Sequence, residues 1–170
     1  MEAFFESVAV HLRPNFTFRS VKNFWGESEI FKKRFPWLTI ERGVRKSLGE
    51  SSDFEDSVLR AKLTVHTVNE TTFLQCLANN IPSVVFWPSS YELVDEASDV
   101  FDELHAVGVF FEDPVEAAKH ISNIYEDLSG WWFSPRVQNA VDRFRCEYAL
   151  NENWLEKWSE YLTVKQRGRY

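Results

Sequence analysis

Between Ala61 and Pro88 the chain reads as one βαβ unit, and no other stretch constrains the fold as much. A β-rich run, Leu63 to Val68, meets a polar turn, Asn69-Glu70-Thr71-Thr72. A short amphipathic helix follows, and a second β-rich run, Ser83 to Trp87, closes the unit. The turn lies where the carboxyl end of a strand meets the amino end of a helix. Open α/β sheets bind ligands at that edge, and the unpaired N–H groups of a helix amino end attract anions such as phosphate. Glu70 lies in the same turn, and its carboxylate repels phosphate unless it points away.

The flanking segments continue the alternation. Ser7 to Leu12 reads as a strand stopped by Arg13-Pro14. Thr17 caps an expected helix with Phe18, Val21, Phe24, Trp25 and Phe31 at helical spacing, ended by Phe35-Pro36. Leu38 to Glu41 is a short strand, and Ser51-Ser52-Asp53 opens a short helix through Leu59. Beyond the βαβ unit, Glu92 to Val107 carries Leu93, Ala97, Phe101, Leu104 and Val107 on one helical stripe. Gly108 stands where that helix needs a left-handed terminator, and Val109 to Phe111 is a last short strand. Asp113-Pro114-Val115-Glu116 starts a helix running to about Leu128, Ser134-Pro135 starts another, and Asn151 or Asn153 starts the last.

Five strands, near residues 8, 38, 63, 83 and 109, thus alternate with helices. Every link is long enough for a right-handed crossover. The expected fold is a Rossmann-like, doubly wound α/β domain with a mostly parallel sheet. One domain spans 1–170, with an α/β core over 1–128 and carboxy-terminal helices over 129–170.

The formal charge of −7 argues against broad binding to nucleic-acid backbones. It leaves room for a small phosphorylated ligand, because backbone amides hold phosphate without Lys or Arg. No apolar run reaches the ~18 residues that a membrane span needs. Met-Glu-Ala-Phe-Phe-Glu-Ser does not read as a secretory signal. Cys76 and Cys146, the two cysteines, read as buried free thiols of a reducing compartment, so a cytoplasmic location is expected. No Cys-x-x-Cys, His-Glu-x-x-His, Gly-x-Ser-x-Gly, Walker A or Gly-x-Gly-x-x-Gly motif occurs, and neither a metal nor a cofactor is expected.

The candidate site residues each carry two readings. Asn69, Thr71 and Thr72 form a phosphate cradle or simply a well-capped helix start. His66 contacts a ligand or acts as a base, or it is a packed strand residue. His11 and Arg13 flank the cleft with a donor and a cation, or lie on the surface before Pro14. Trp87 stacks on a base or sugar, while Glu92 accepts hydroxyl hydrogen bonds or serves a helix dipole. Trp131-Trp132 reads as a packing hinge. Trp154, Trp158 and Tyr161 form a stripe that is core or a partner surface.

The order of these pieces resembles the donor-binding half of GT-B type glycosyltransferases. It is most similar to a family of transferases linked to O-antigen and other surface polysaccharides. That family's pattern is Thr-Tyr-Asn-Ser-Thr after a strand, Leu-Glu-x-Leu-Ala in a helix, and Asn-x-Pro-Thr before a strand ending Phe-Trp. This chain has Thr67-Val68-Asn69-Glu70-Thr71, Leu74-Gln75-Cys76-Leu77-Ala78, and Asn80-Ile81-Pro82-Ser83 leading to Phe86-Trp87. Leu104-x-x-x-Gly108-Val109-Phe110, Asp113-Pro114-x-Glu116-Ala117-Ala118, Trp131-Trp132 and Val137-Gln138 are also similar, and Val10 to Pro14 loosely echoes an earlier strand. The resemblance implies a nucleotide-sugar donor whose phosphates face Asn69, Thr71 and Thr72. His66, Trp87 and Glu92 would line the base or sugar pocket, and His11 or Arg13 would flank it. It assigns no catalytic base.

The chain departs from the pattern at Glu70, where the family has Ser, and at Val94, where an Arg is expected. The first βα unit of the donor domain and the acceptor domain have no counterpart here, so this chain alone is expected to be inactive. Two other readings stand beside it: a non-catalytic interaction module on the same fold, and a nucleotide-sugar epimerase.

Overall fold

The computed structural model describes residues 1–20, 26–42, 53–150, 155, 156 and 159. The chain opens with α1 (Glu2–Ser7) and a 3-10 segment, Val10–Asn15. Then come β1 (Thr17–Ser20), α2 (Glu27–Arg34), β2 (Thr39–Arg42) and α3 (Asp53–Arg60). The expected βαβ unit is β3 (Thr64–His66), α4 (Thr71–Ala78) and β4 (Ser83–Phe86). After it follow α5 (Asp95–Ala106), β5 (Phe110–Phe111) and α6 (Pro114–Ile124). A single 3-10 turn leads to α7 (Leu128–Trp132) and α8 (Pro135–Phe144), which ends in a π-turn, Arg145–Ala149.

The architecture is α/β and Rossmann-like, with the five strands among the described residues divided between two small parallel sheets. β1 pairs with β2, and β3, β4 and β5 form the second sheet in that order. β4 is central and buried throughout, as expected for a parallel strand covered on both faces. Alternation along it divides the interior. Val85 and Trp87 face one cluster with Phe73, Leu77, Phe101, Leu104, Val141 and Phe144, from α4, α5 and α8. Val84 and Phe86 face the other, with Phe4, Phe5, Leu12, Phe31, Ala117 and Ile121. Helices therefore cover both faces, and each fully buried Val or Phe contributes about 1.5–3 kcal/mol.

The amino-terminal segment differs from the sequence reading. The run expected as a strand over Ser7 to Leu12 is the end of a helix and a 3-10 turn. Phe4, Phe5, Val8 and Leu12 recur at helical spacing, and all four are buried. The two small alanines of α6, Ala117 and Ala118, let α1 pack closely against it. Phe4 stacks on Phe86 at 5.0 Å, tying α1 to the central strand. Arg34 meets Glu2 and Glu6 at 2.6 Å each on the exposed side of α1.

The helix expected from Thr17 is also corrected. Thr17-Phe18-Arg19-Ser20 is a strand in register with Thr39 to Arg42, and Phe18 meets Phe31 edge-on at 5.0 Å. The spacing that mimicked one helix joined a strand residue to a helix residue that touch in space. Val21, Phe24 and Trp25 of that expectation lie outside the described residues, as do Trp154, Trp158 and Tyr161.

The punctuation held where it was chemically specific. Asp113 accepts from the Val115 amide at 2.7 Å, with Pro114 in the first turn. Ser134 caps α8 through the Val137 amide, with Pro135 following. Gly108 has φ +78°. Of the two cysteines, Cys76 is buried and Cys146 is exposed, which corrects the expectation for Cys146. It follows the buried Phe144 by two residues, roughly 200° around a helix, and so faces away from the core.

Candidate functional site

The carboxyl ends of β3, β4 and β5 lead into the Thr67–Glu70 turn, the Trp87–Val94 loop and Glu112-Asp113. Helix α4 begins at Thr71, so its cap position is Glu70 and not Asn69, which corrects the expected capping role of Asn69. The Glu70 side chain accepts no hydrogen bond from the helix's first turn. The Phe73 and Leu74 amides bond back to the Glu70 carbonyl, at 3.1 and 3.4 Å. Thr71 and Thr72 are the first two residues of the helix, where amides have no intrahelical acceptor. Asn69, Glu70 and Thr71 are exposed and Thr72 is half-buried, so the turn is open to solvent.

His66 ends β3 beneath that turn, its ring 6.0 Å from Phe73 of α4. Its Nε2 lies 3.0 Å from the Thr64 hydroxyl. Burial lowers its pKa from 6.5 to about 4, so the ring is neutral near pH 7.

Trp87 is only 2% exposed. Its ring contacts Phe110 at 4.7 Å, Phe101 at 5.4 Å and Phe73 at 6.0 Å. The alternation of β4 turns it into the core, so it forms the floor of a cleft and offers no free face for stacking. That cleft, of about 560 Å³, runs along α5 from the β4–α5 loop to Glu112. Its walls carry Glu92, Asp95, Asp102, Glu112 and His105, and no Lys or Arg. The α5 contribution, Asp95, Ser98, Asp102 and His105, was not anticipated from the sequence. Its spacing is visible there as a polar row flanking the Ala97–Phe101–Leu104 stripe. Among the described residues no group of three or more His, Cys, Asp or Glu side chains converges on a metal position.

His11 and Arg13 are not at a strand's carboxyl end. They lie in the 3-10 segment that precedes the amino end of β1. Arg13 donates to the Val8 carbonyl at 3.2 Å and covers the Trp37 ring at 5.5 Å, while His11 is exposed. The structure thus brings His66 and the 69–72 turn together and places Trp87 and Glu92 on the neighbouring cleft.

Fold and site define a Rossmann-like α/β protein with the amino end of α4, which its cap residue's side chain does not cap, at the carboxyl edge of a parallel sheet. A family model, LIC12162 family transferase, matches residues 2–162, and the chain belongs to that family. No curated protein and no solved structure matches it. No helix among the described residues is long and apolar enough to cross a membrane.

Proposed function

We propose that this chain is the nucleotide-sugar-binding, donor-side domain of a glycosyltransferase that acts in surface polysaccharide synthesis. One observation carries the reading: the amino end of α4, which the Glu70 side chain does not cap, is solvent-exposed at the carboxyl edge of the sheet. The Thr71 and Thr72 amides and hydroxyls would hold the donor's phosphates, with Asn69 beside them. As the sugar–phosphate bond breaks, negative charge grows on the leaving diphosphate, and amides already aimed at it lower the barrier. His66 and Glu92 would contact hydroxyls of the base or sugar portion, over the floor made by Trp87. An acceptor-side domain or partner chain would complete the reaction cleft.

The acidic walls favour a second reading. Glu92, Asp95, Asp102 and Glu112 line the cleft and Glu70 occupies the cap position, all adverse to a diphosphate. A non-catalytic interaction module on the same fold would carry such a surface without cost.

Calorimetric titration with UDP-glucose, GDP-mannose and CMP-sialic acid separates the two, using Thr71→Pro as control. Pro is favoured at the first helical position, and Glu70 before it has the extended backbone (φ −127°, ψ 173°) that a following Pro requires. The substitution deletes one amide donor and the Thr71 hydroxyl and leaves the helix intact. The donor reading expects one sugar nucleotide to bind, about tenfold more weakly in Thr71→Pro, at unchanged melting temperature. Silence across the panel, or equal binding by Thr71→Pro, rejects it.

A further inference from the structure

Below the 69–72 turn, four polar side chains meet between β3, β4 and α4: Thr64, His66, Cys76 and Ser83. Their protons can be followed. Ser83 is fully buried, and its hydroxyl donates to the Ile81 carbonyl at 2.8 Å, which only accepts. The Thr64 hydroxyl lies 2.8 Å from Ser83 Oγ and 3.2 Å from the Pro82 carbonyl, and it also meets the Cys76 thiol. Thr64 has one proton, and both the Pro82 carbonyl and the free lone pair of Ser83 compete for it. With the Ser83 proton on Ile81 and the Thr64 proton on Ser83, the arrangement that satisfies most of these contacts has the imidazole as donor across the 3.0 Å contact. Its Nε2 carries the hydrogen, and in a neutral ring Nδ1 is then a bare lone pair. Nδ1 has no partner among the described residues and is not sealed from solvent.

We infer that Thr64 is a positioning residue that locks His66 in the Nε2–H tautomer, so that Nδ1 is presented as a hydrogen-bond acceptor for a ligand hydroxyl. The ligand half of this inference rests on the donor-site reading, and the tautomer half does not. The chemical class that satisfies Nδ1 is an O–H donor of a ribose or hexose. Phosphate oxygens, which only accept, are turned away from this position and toward the α4 amides. The pair would therefore sort the two ends of a nucleotide sugar, with phosphate at the helix and hydroxyl at the histidine.

The tautomer is read directly from imidazole ¹⁵N shifts and two-bond ¹H–¹⁵N correlations of the full chain at pH 7. The expected result is a protonated Nε2 and an unprotonated Nδ1 in the wild type. Thr64→Ser keeps that pattern, and Thr64→Val shifts the proton to Nδ1 or mixes the tautomers. Protonated Nδ1 in the wild type overturns the inference without need of any variant, and so does an unchanged tautomer in Thr64→Val. In the binding arm, affinity for whichever of UDP-glucose and GDP-mannose binds falls about tenfold in Thr64→Val and less than about twofold in Thr64→Ser. Equal affinity in all three proteins overturns the ligand half. Silence of both probes and of CMP-sialic acid rejects the donor-site reading and the ligand half with it, while the tautomer result still decides the role of Thr64.

Discussion

Gly108→Ala tests the junction that holds α5, β5 and α6 together. Gly108 has φ +78°, and a Cβ there would lie 2.5 Å from His120 Nε2 and 3.1 Å from Nδ1. The His120 ring cannot simply swing aside, because it lies between Phe111 and Trp131, 5.3 Å from each, and Trp131 is tied to the Val107 carbonyl at 3.0 Å. Left-handed backbone costs a non-glycine residue about 1–2 kcal/mol, and overpacking a filled site costs about 1–3 kcal/mol. The sum is about 3 kcal/mol, or roughly 6–12 °C of melting temperature for a chain of this size. A double-mutant cycle separates the two parts. His120→Ala removes the obstructing ring, so Gly108→Ala in that background should cost only the backbone share, leaving a coupling of about 1–3 kcal/mol. Denaturant unfolding of the four proteins measures it. A Gly108→Ala protein as stable as wild type, or a cycle with no coupling, refutes the close-approach argument.

Other outcomes follow from the same geometry. Trp87→Ala should cost about 3–5 kcal/mol, measured by urea unfolding, because the ring is core; an exposed ligand platform would cost far less. The lowered pKa of His66 fixes a pH dependence of stability. Between about 6.5 and about 4 the unfolded chain takes up a proton that the folded chain does not. Stability should therefore fall as pH drops through that window and level off below it, by at most roughly 3 kcal/mol from this group. His66→Phe should flatten the slope in melting temperature between pH 7 and pH 4.5. His120, whose pKa burial also lowers, should leave a residual slope of the same sign. Glu70→Ser removes a carboxylate from the cap position and supplies a good cap, so α4 should gain about 0.5–1 kcal/mol. Nucleotide-sugar affinity should rise with it in a calorimetric titration.

The parts of the fold legible in the sequence are those where two local signals coincide. In the Ala61–Pro88 unit, β-rich runs, a polar turn and a helical stripe agree, and the structure has β3, α4 and β4 there. Asp113-Pro114 and Ser134-Pro135 were legible because a cap and a first-turn proline have one meaning. The amino terminus was not, because hydrophobic spacing alone cannot separate contiguity from contact. Phe18 and Phe31 touch across a strand–helix pair, which imitated one helix. Phe4, Phe5, Val8 and Leu12 carry a helical period, but it spans a six-residue helix and a 3-10 segment, and the alternation from Ser7 to Leu12 reads equally as a strand.

The candidate site was legible in the same measure. The 69–72 turn is where the pattern placed it, and it is open. Trp87 was recognised as standing at a strand end, yet its direction depended on the pleat of β4. The carboxylates of α5 were visible as a polar face. Their convergence with Glu112 comes from β5 packing beside α5, a tertiary relation that no local pattern encodes.

The most direct test of the account is a backbone amide titration by ¹H–¹⁵N NMR, comparing UDP-glucose, GDP-mannose, CMP-sialic acid and the corresponding unphosphorylated nucleosides. If the amino end of α4 is a phosphate site, the Thr71 and Thr72 amides shift most with one of the sugar nucleotides and stay still with its nucleoside. A chain in which neither amide moves, or in which the nucleoside moves them equally, has no donor phosphate site at this helix.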